Sequence, residues 1–232
     1  MKISVLIPAY NEEKLIAAAI RSVHAQDYSD FEIIVVNNNS RDRTAEIAKE
    51  EGVVVIDESR AGTMWACEAG RKAAHGEIIV RMDADCSPRG NWLSQGATYF
   101  EDLDVVAASG PYEYVDAPFV FRTCARYFQR YVYFIFNHIL RLTGSGGVMV
   151  GGNSFFRADV LEKSGGFNTS ITFYGDDTDA AKRMSMHGKV IFTSRLTMPT
   201  SARRFRNEGM AKITFRYLFH FFKIVFSKVS GD

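Results

Sequence analysis

The sequence has few cysteines and almost no net charge, and each shortage excludes a class of function. Its three cysteines among 232 residues form no CxxC pair and no Cys/His spacing typical of a metal site. We therefore expect reduced thiols that are buried or have no chemical role, and no structural zinc. The formal net charge of +1 gives no overall reason to expect nucleic acid as a partner, so any basic surface must be local.

Two common phosphate-binding signatures are also missing. No GxGxxG follows the first predicted strand and no GxxxxGK[ST] occurs, which disfavours a dinucleotide enzyme and a P-loop enzyme. The N-terminal apolar run, ISVLI, has only five residues before Pro8 and is followed by acids. It predicts a core strand and not a signal peptide, and hence a cytoplasmic protein.

The first half of the sequence alternates short strands with helices. Four nearly continuous apolar runs are typical of strands covered on both faces, and they lie at 3–7, 31–36, 52–56 and 77–80. Helical patterns separate them, and two of these patterns end at Gly52 and Gly76. The alternation predicts an α/β fold with a mostly parallel central sheet and helices on both faces.

Polar side chains follow the predicted strands where each strand ends. They are Tyr10, Asn11 and Glu12 after the first strand, Asn37, Asn38 and Asn39 after the second, and Asp83 and Asp85 after the fourth. Because this edge of a parallel sheet opens into the ligand crevice, the clusters are expected to meet there. Two close carboxylates repel unless a cation or a shared proton relieves them. A divalent cation fits best, and it could bridge a diphosphate. The alternative is that each Asp only ends a strand or caps a helix.

A second acidic cluster, Asp176, Asp177 and Asp179, begins a predicted helix. The helix dipole and capping both favour acids in a first turn, so capping alone is one interpretation. Three acids exceed what a cap needs, however. A carboxylate on the crevice rim is suited to take a proton from an attacking group.

Two segments of the second half combine aromatic and basic residues at helical spacing. Residues 119–142 place Arg122, Arg126 and Arg130 on one stripe. The tail at 208–232 has Lys212, Arg216, His220 and Lys223 along one side and Phe215, Leu218, Phe219, Phe222 and Phe226 along another. Such helices are typical of a membrane surface, and core packing with a solvated basic face is the alternative. Neither has the ~20 uncharged residues of a membrane span.

The stretch SARRFRNEG, which precedes this tail, is predicted to be a loop. Its three arginines, Arg203, Arg204 and Arg206, are suited to bind a phosphate or diphosphate. An ordinary solvated loop is the alternative.

Six motifs, in order and at consistent spacing, resemble those of the family 2 glycosyltransferases of GT-A fold. They are IPAYNEE at 7–13, VVNNNSRDRT at 35–44, RAGTMWACEAG at 60–70, MDADCSP at 82–88, GGNSFFR at 151–157 and FYGDDTD at 173–179. The resemblance implies a GT-A domain over 1–207, with a nucleotide-binding half at 1–110 and an acceptor-binding half at 111–207. It also implies inverting transfer of a sugar from a nucleoside diphosphate, assisted by Mg²⁺ or Mn²⁺, to a lipid-linked or polysaccharide acceptor.

The resemblance also implies roles for individual residues. Those implied to bind the nucleotide sugar are Pro8, Ala9, Tyr10, Glu12, Asn37, Asn38, Gly62, Asp83 and Ala84. Asp85, with Asp83, would bind the metal. Those implied to contact acceptor or phosphate are Gly152, Asn153, Asp176, Arg203 and Arg204. Asp177 would be the catalytic base, with Asp176 at the cap position before the helix.

Two positions depart from the usual family pattern. Asn37 and Asn38 stand where the family often has Asp, and because an amide both donates and accepts, they leave the choice of nucleotide base open. Glu68 stands where the family often has Asn, which leaves that contact open as well.

Two other functions remain as alternatives. A nucleotidyltransferase that makes nucleotide sugars shares the sheet and the acid pair, although PAYNEEK is not its usual Gly-rich, Arg-containing loop. A non-catalytic binding protein on the same scaffold is disfavoured by the intact acids at 83, 85 and 177. Together with the basic, aromatic segments, the favoured function predicts a location at the inner face of the plasma membrane.

Overall fold

A computed structural model of the chain describes residues 1–142, 146–171 and 174–209, with parts of the C-terminal tail at 212–213, 215–216, 219–220 and 223–224. The predicted helix positions Leu218, Phe222 and Phe226 lie outside the described residues, as does Phe173 of the FYGDDTD motif.

The described residues contain nine strands. They are β1 (Ile3–Ala9), β2 (Phe31–Asn37), β3 (Val54–Asp57), β4 (Ile78–Met82), β5 (Val105–Ser109), β6 (Tyr112–Tyr114), β7 (Asn153–Arg157), β8 (Lys189–Phe192) and β9 (Met198–Thr200). Seven form a central sheet in the order β3-β2-β1-β4-β7-β5-β8, and β6 pairs with β9 in a small second sheet. In the central sheet β7 runs antiparallel to β4 and β5, and the other pairings are parallel. The predicted mostly parallel sheet is confirmed.

The described residues also contain nine α-helices. They are α1 (Ile16–His24), α2 (Thr44–Glu50), α3 (Thr63–Ala73), α4 (Trp92–Tyr99), α5 (Phe119–Tyr127), α6 (Phe134–Leu142), α7 (Ala158–Lys163), α8 (Asp176–Ser185) and α9 (Arg203–Glu208). A π-helical segment, Phe128–Tyr133, joins α5 to α6. Among the described residues, no helix has both the length and the apolar character needed to cross a bilayer.

The helices cover both faces because successive residues of a strand point to opposite sides of the sheet. Ile3, Val5 and Ile7 of β1 pack into one core with α1, α2 and α4. Leu6 of the same strand packs into a second core with α3, α7 and α8. Burial of such a side chain stabilises the fold by ~1.5–3 kcal/mol, so both cores favour this three-layer arrangement.

The strand pairings bring the predicted polar clusters to one edge of the sheet. Ala9 at the end of β1 is opposite Asn37 at the end of β2, and β1 also pairs in parallel with β4. Since β7 is antiparallel to β4, its first residue, Asn153, is opposite Met82 at the same edge. The loops after β1, β2 and β4 therefore meet the turn before β7.

The predicted loop at 201–209 is wrong, because this stretch contains α9. Asp116 accepts the backbone N–H of Ala202, just before the helix, at 2.6 Å, and its carboxylate also pairs with Arg206 at 2.7 Å. One turn further on, Arg204 lies 3.6 Å from Glu208. These contacts stabilise a short helix that the arginine content of the sequence did not indicate.

Candidate active site

Arg203 of α9 lies between two carboxylates that belong to different strand ends. Its two terminal nitrogens donate to the Glu12 carboxylate, with Nη1 2.8 Å from Oε2, and its Nε donates to Asp85 Oδ2 at 3.0 Å. The Thr200 hydroxyl lies 3.4 Å from the other Asp85 oxygen. The fork of a guanidinium suits this bidentate geometry. The Arg203 guanidinium therefore already offsets part of the negative charge of Glu12 and Asp85 at the predicted metal-binding edge.

The Asp83 carboxylate lies close to the backbone of Gly152 and to the Tyr112 hydroxyl. The Tyr112 hydroxyl donates to Asp83 Oδ2 at 3.1 Å. A Cβ atom added at Gly152 would lie 2.3 Å from the Asp83 carboxyl carbon and 2.4 Å from the Tyr112 hydroxyl. Gly152 is therefore needed here because any side chain would displace the carboxylate.

Arg81, the penultimate residue of β4, connects the two acidic motifs. Its Nη1 donates to Asp176 at the start of α8, and its Nη2 lies 3.7 Å from Asp83 Oδ1. The side chain is 8% exposed and its Nε has no hydrogen-bond partner. The guanidinium thus holds the end of β4 and the start of α8 together in a low-dielectric setting.

Two of the three α8 acids are held by arginines, whereas Asp177 is held by its own neighbour. Asp176 bonds to Arg81, and Asp179 accepts from Arg183 at 2.9 Å. Asp177 Oδ1 accepts the backbone N–H of Thr178 at 2.7 Å. Burial, followed by the negative charge of Asp176, raises the pKa of Asp177 to about 7. A carboxyl with this pKa exchanges its proton near neutral pH.

The expected cap position of Asp176 is wrong. Gly175 is the cap residue, with a φ of 91° in the left-handed region that glycine adopts without strain, and Asp176 is the first helical residue. No side-chain hydrogen bond caps α8. The Asp176 carboxylate instead pairs with the buried guanidinium, which needs a negative partner more than the helix end does.

The predicted nucleotide-binding amides bind the protein itself. Asn38 donates to the carbonyls of Glu58 and Arg60 at 2.8 and 2.7 Å and accepts the Gly62 N–H at 2.8 Å. Asn37 donates to Asp57 at 2.7 Å. These bonds fix the loops after β2 and β3.

Other predicted nucleotide-binding residues line the same edge. Pro8, Ala9 and Ala84 are largely buried beside it, whereas Tyr10 is exposed at its rim. The structure therefore brings these four residues close to the strand ends that carry Glu12 and Asp83.

Asn153 has a supporting position. Its side chain is fully buried, accepts from the Trp92 indole at 3.0 Å and donates to the carbonyls of Gly110 and Leu196. All of these bonds are within the protein, so the amide orients the turn before β7 and does not face the crevice.

The sequence motifs did not identify Arg81 or Tyr112 as parts of the site, and they did not indicate that Arg203 bonds to Glu12 and Asp85. One signal was present, because Arg81 is a charged residue within the otherwise apolar strand IIVRM. A charge at a fully buried strand position needs a partner, and here the partner is more than 90 residues away in the chain.

The edge of the sheet that carries Asp83 and Asp85, the acidic edge, suits a divalent cation that is also bound by a diphosphate. Burial, and then the negative charge of Asp83, raise the pKa of Asp85, although Arg203 opposes this rise. In the described part of the chain no three His, Cys, Asp or Glu side chains are arranged to hold a metal by themselves. Magnesium sites that include substrate phosphates need only one or two carboxylates, and Asp83 and Asp85 can supply these.

We expect Arg81→Met to lower the free energy of unfolding by about 3–5 kcal/mol, because it leaves the Asp176 carboxylate buried without its cation. The double variant Arg81→Met with Asp176→Asn should be more stable than Arg81→Met alone. Urea unfolding measures both. Arg43→Met, which removes an exposed pair with Glu46, is the control and should change little. Equal destabilisation in the single and double variants would contradict the pairing.

Comparisons with known proteins agree with this architecture. The sequence model of Glycosyl transferase family 2 matches residues 4–165. Glycosyltransferase AglE of Haloferax volcanii is 30% identical over 182 residues, which cover 75% of this chain and 58% of that protein.

Two solved structures have similar folds at lower identity. The mannosyltransferase PcManGT of Pyrobaculum calidifontis, in complex with GDP-Man and Mn²⁺, superposes with a TM-score of 0.74 at 24% identity, covering 98% of this chain and 65% of that one. Glucosyl-3-phosphoglycerate synthase of Mycobacterium tuberculosis, with Mn²⁺, UDP and phosphoglyceric acid, gives a TM-score of 0.67 at 18% identity, covering 99% and 80%. The chain thus spans 58% of AglE and 65% of PcManGT, less than two thirds of the length of either protein.

Proposed function

The chain belongs to glycosyl transferase family 2, and from this premise we propose that it is an inverting glycosyltransferase that moves a sugar from a nucleoside diphosphate to an acceptor. The observation that carries the proposal is that Arg81 joins Asp83, at the end of β4, to Asp176 at the start of α8, directly before Asp177. The donor diphosphate would lie at Asp83 and Asp85, and the acceptor would lie at Asp177.

Each acid in this proposal has one role. Asp83 and Asp85 hold the Mg²⁺ or Mn²⁺ that the donor requires, and the Mn²⁺ in both solved relatives supports this cofactor. The cation, when bound, supplies positive charge to the leaving diphosphate. Arg203, which already bonds to Asp85, is placed to contact the same diphosphate.

Asp177 acts on the acceptor. An acceptor hydroxyl attacks the anomeric carbon as the bond from that carbon to the diphosphate oxygen breaks, and Asp177 takes the hydroxyl proton. A pKa near the working pH suits a general base, because enough of the group is deprotonated while it still binds the proton. Arg81 has a positioning role, since it holds the Asp176 that precedes the base.

A thermal-shift panel of UDP-, GDP- and dTDP-sugars, with and without Mn²⁺, tests the proposal. We expect at least one sugar nucleotide to raise the melting temperature in the presence of Mn²⁺. The sugar nucleotide selected by the panel then enters a hydrolysis and transfer assay. Stabilisation by none of them would refute the proposal, and binding without any turnover would favour a non-catalytic binding protein.

We further propose that the protein contacts the surface of a membrane. The helical run from α5 to α6 exposes many large apolar side chains, among them Phe119, Tyr127, Phe134 and Ile135. In the tail, Phe215 and Phe219 are 70% and 56% exposed, and basic residues lie next to both groups. Exposed aromatics with flanking cations are typical of helices that lie in the interface of an anionic bilayer.

Replacing Phe215 and Phe219 together with Ser should reduce binding to anionic vesicles severalfold, since each change removes an exposed ring that would enter the interface. Flotation with vesicles of phosphatidylglycerol and phosphatidylcholine measures this. Leu103→Ser, an equally exposed apolar position before β5, is the matched control and should float like the parent. If the Phe215 and Phe219 double variant floats as well as the parent, the tail is not an anchor.

A further inference from the structure

A cavity of about 450 Å³ lies between the C-terminal tail and the segment that leads into α8. Ser170, Ile171 and Tyr174 line it on the domain side, and the tail contributes Arg216, His220, Lys223 and Ile224. The sequence motifs and the proposed donor site assign no role to this cavity.

The described lining residues make the cavity positively charged. Arg216 and Lys223 have basic side chains, His220 adds an imidazole ring, and no described lining residue is acidic. The nearby carboxylate of Glu208 lies 3.2 Å from Arg216, and it offsets one of these charges. Tyr174 adds a hydroxyl group, whereas the Ser170 hydroxyl already donates to Asn168 Oδ1 at 2.6 Å. Two fixed cations with hydroxyl and imidazole donors match the oxygens of a phosphate group.

The cavity adjoins the residue proposed as the base. A Cβ atom added at Gly175, two residues before Asp177, would lie 2.2 Å from Ile224 Cδ1 and 3.7 Å from His220 Cβ. The Lys182 ammonium of α8 donates to the Ile224 carbonyl at 3.0 Å. The tail therefore contacts the first turns of the helix that presents Asp177.

Aromatic contacts hold the cations along the cavity wall. The Tyr174 and His220 rings stack with centroids 5.5 Å apart and planes 25° apart. The Arg216 guanidinium lies 5.8 Å from the centre of the Tyr174 ring. Phe215 and Phe219, which stack on each other, occupy a different face of the tail. Arg216 and His220 therefore face the domain, while the two rings face outwards.

We propose that this cavity binds a phosphate group carried by the acceptor, and that this contact places the acceptor beside Asp177. The proposal rests on the proposed glycosyltransferase function, because only a transferase has an acceptor. The binding of phosphate itself can be measured without any sugar transfer. The phosphate can belong to a lipid or to a water-soluble compound, because the cavity chemistry recognises only the phosphate itself.

Calorimetric titration of the full chain with geranyl phosphate and with glycerol 3-phosphate tests the proposal. We expect the parent to bind at least one of them, and Arg216→Gln and Lys223→Gln each to weaken that binding roughly tenfold, the scale of one lost hydrogen bond to a charged group. Lys212→Gln removes an exposed tail cation that does not line the cavity, and it should bind like the parent.

The two ligands distinguish the source of the phosphate. Much tighter binding of geranyl phosphate, with no binding of geraniol, would identify a lipid-linked acceptor, and equal binding would identify a water-soluble one. The proposal is overturned if the parent binds neither compound, or if the Arg216→Gln and Lys223→Gln double variant binds like the parent. Sugar nucleotide binding with Mn²⁺, measured on the same samples, shows separately whether the variants are folded and whether the donor function holds.

Discussion

Replacing Asp177 with Asn is expected to lower turnover about 10²-fold or more while sugar nucleotide binding stays at the parental level. The amide keeps the size of the side chain and can still accept the Thr178 N–H bond, but it cannot take a proton. Transfer to a hydroxyl acceptor is the measurement. An acceptor whose attacking oxygen is already an anion has no proton to give up, and the loss would then be smaller.

The neighbouring acids serve as matched controls. Asp179→Asn and Asp176→Asn make the same chemical change on the same helix turn, but those carboxylates pair with Arg183 and Arg81. Their main effect should therefore be on stability. If Asp177→Asn keeps near-parental turnover on a hydroxyl acceptor while Asp176→Asn loses it, the base is Asp176.

The pH dependence of kcat/KM should also show that Asp177 is the base. Because the base must be deprotonated, log kcat/KM of the parent should rise with pH below about 7 and level off above it. The raised pKa also means that the folded state binds this proton more tightly than the unfolded state. This carboxyl should therefore reduce stability as pH rises from about 4 to 7, and Asp177→Asn should lack that loss.

Asp85→Ala should abolish the Mn²⁺-dependent part of nucleotide affinity and leave the fold intact. The change removes one of the two carboxylates proposed to hold the metal, whereas Arg203 keeps both of its bonds to Glu12. Isothermal titration with UDP or GDP, with Mn²⁺ and with EDTA, measures the metal-dependent difference.

Asp30→Ala is the matched control for this experiment, because Asp30 is an exposed acid at the opposite edge of the sheet, next to the start of β2. It should retain the full Mn²⁺ effect. An Asp85→Ala protein whose Mn²⁺-enhanced affinity equals the parental value would exclude Asp85 as a metal ligand.

The first half of the fold could be predicted because each strand there is a continuous apolar run between helices with clear ends. The pattern identified the bounds of β1 to β4 within two residues and the edge where their loops meet. The second half could not, because β6, β8 and β9 have only three or four residues and β7 enters the sheet from a distant part of the chain. Local periodicity does not report such non-local pairing.

The same limit applies to the site. The family motifs singled out Asp83, Asp85 and Asp177 as candidate site residues. They did not show that Asn38 and Asn153 bond to backbone carbonyls, or that Arg81 links Asp83 to Asp176, the neighbour of Asp177. Those bonds depend on which loops meet in space, and the residues that carry them are distant in the sequence.

The bond from Arg203 to Glu12 spans 191 residues, which has a consequence for biosynthesis. At ~5–20 residues per second, Arg203 leaves the ribosome roughly 10–40 s after Glu12. During that interval β1 to β4 can already pair, while Glu12 and Asp85 have no guanidinium between them. The edge of the sheet that carries Glu12 and Asp85 is therefore completed late in synthesis. A nascent chain that stalls before α9 leaves these two carboxylates without Arg203, and they can attract cations before the protein is finished.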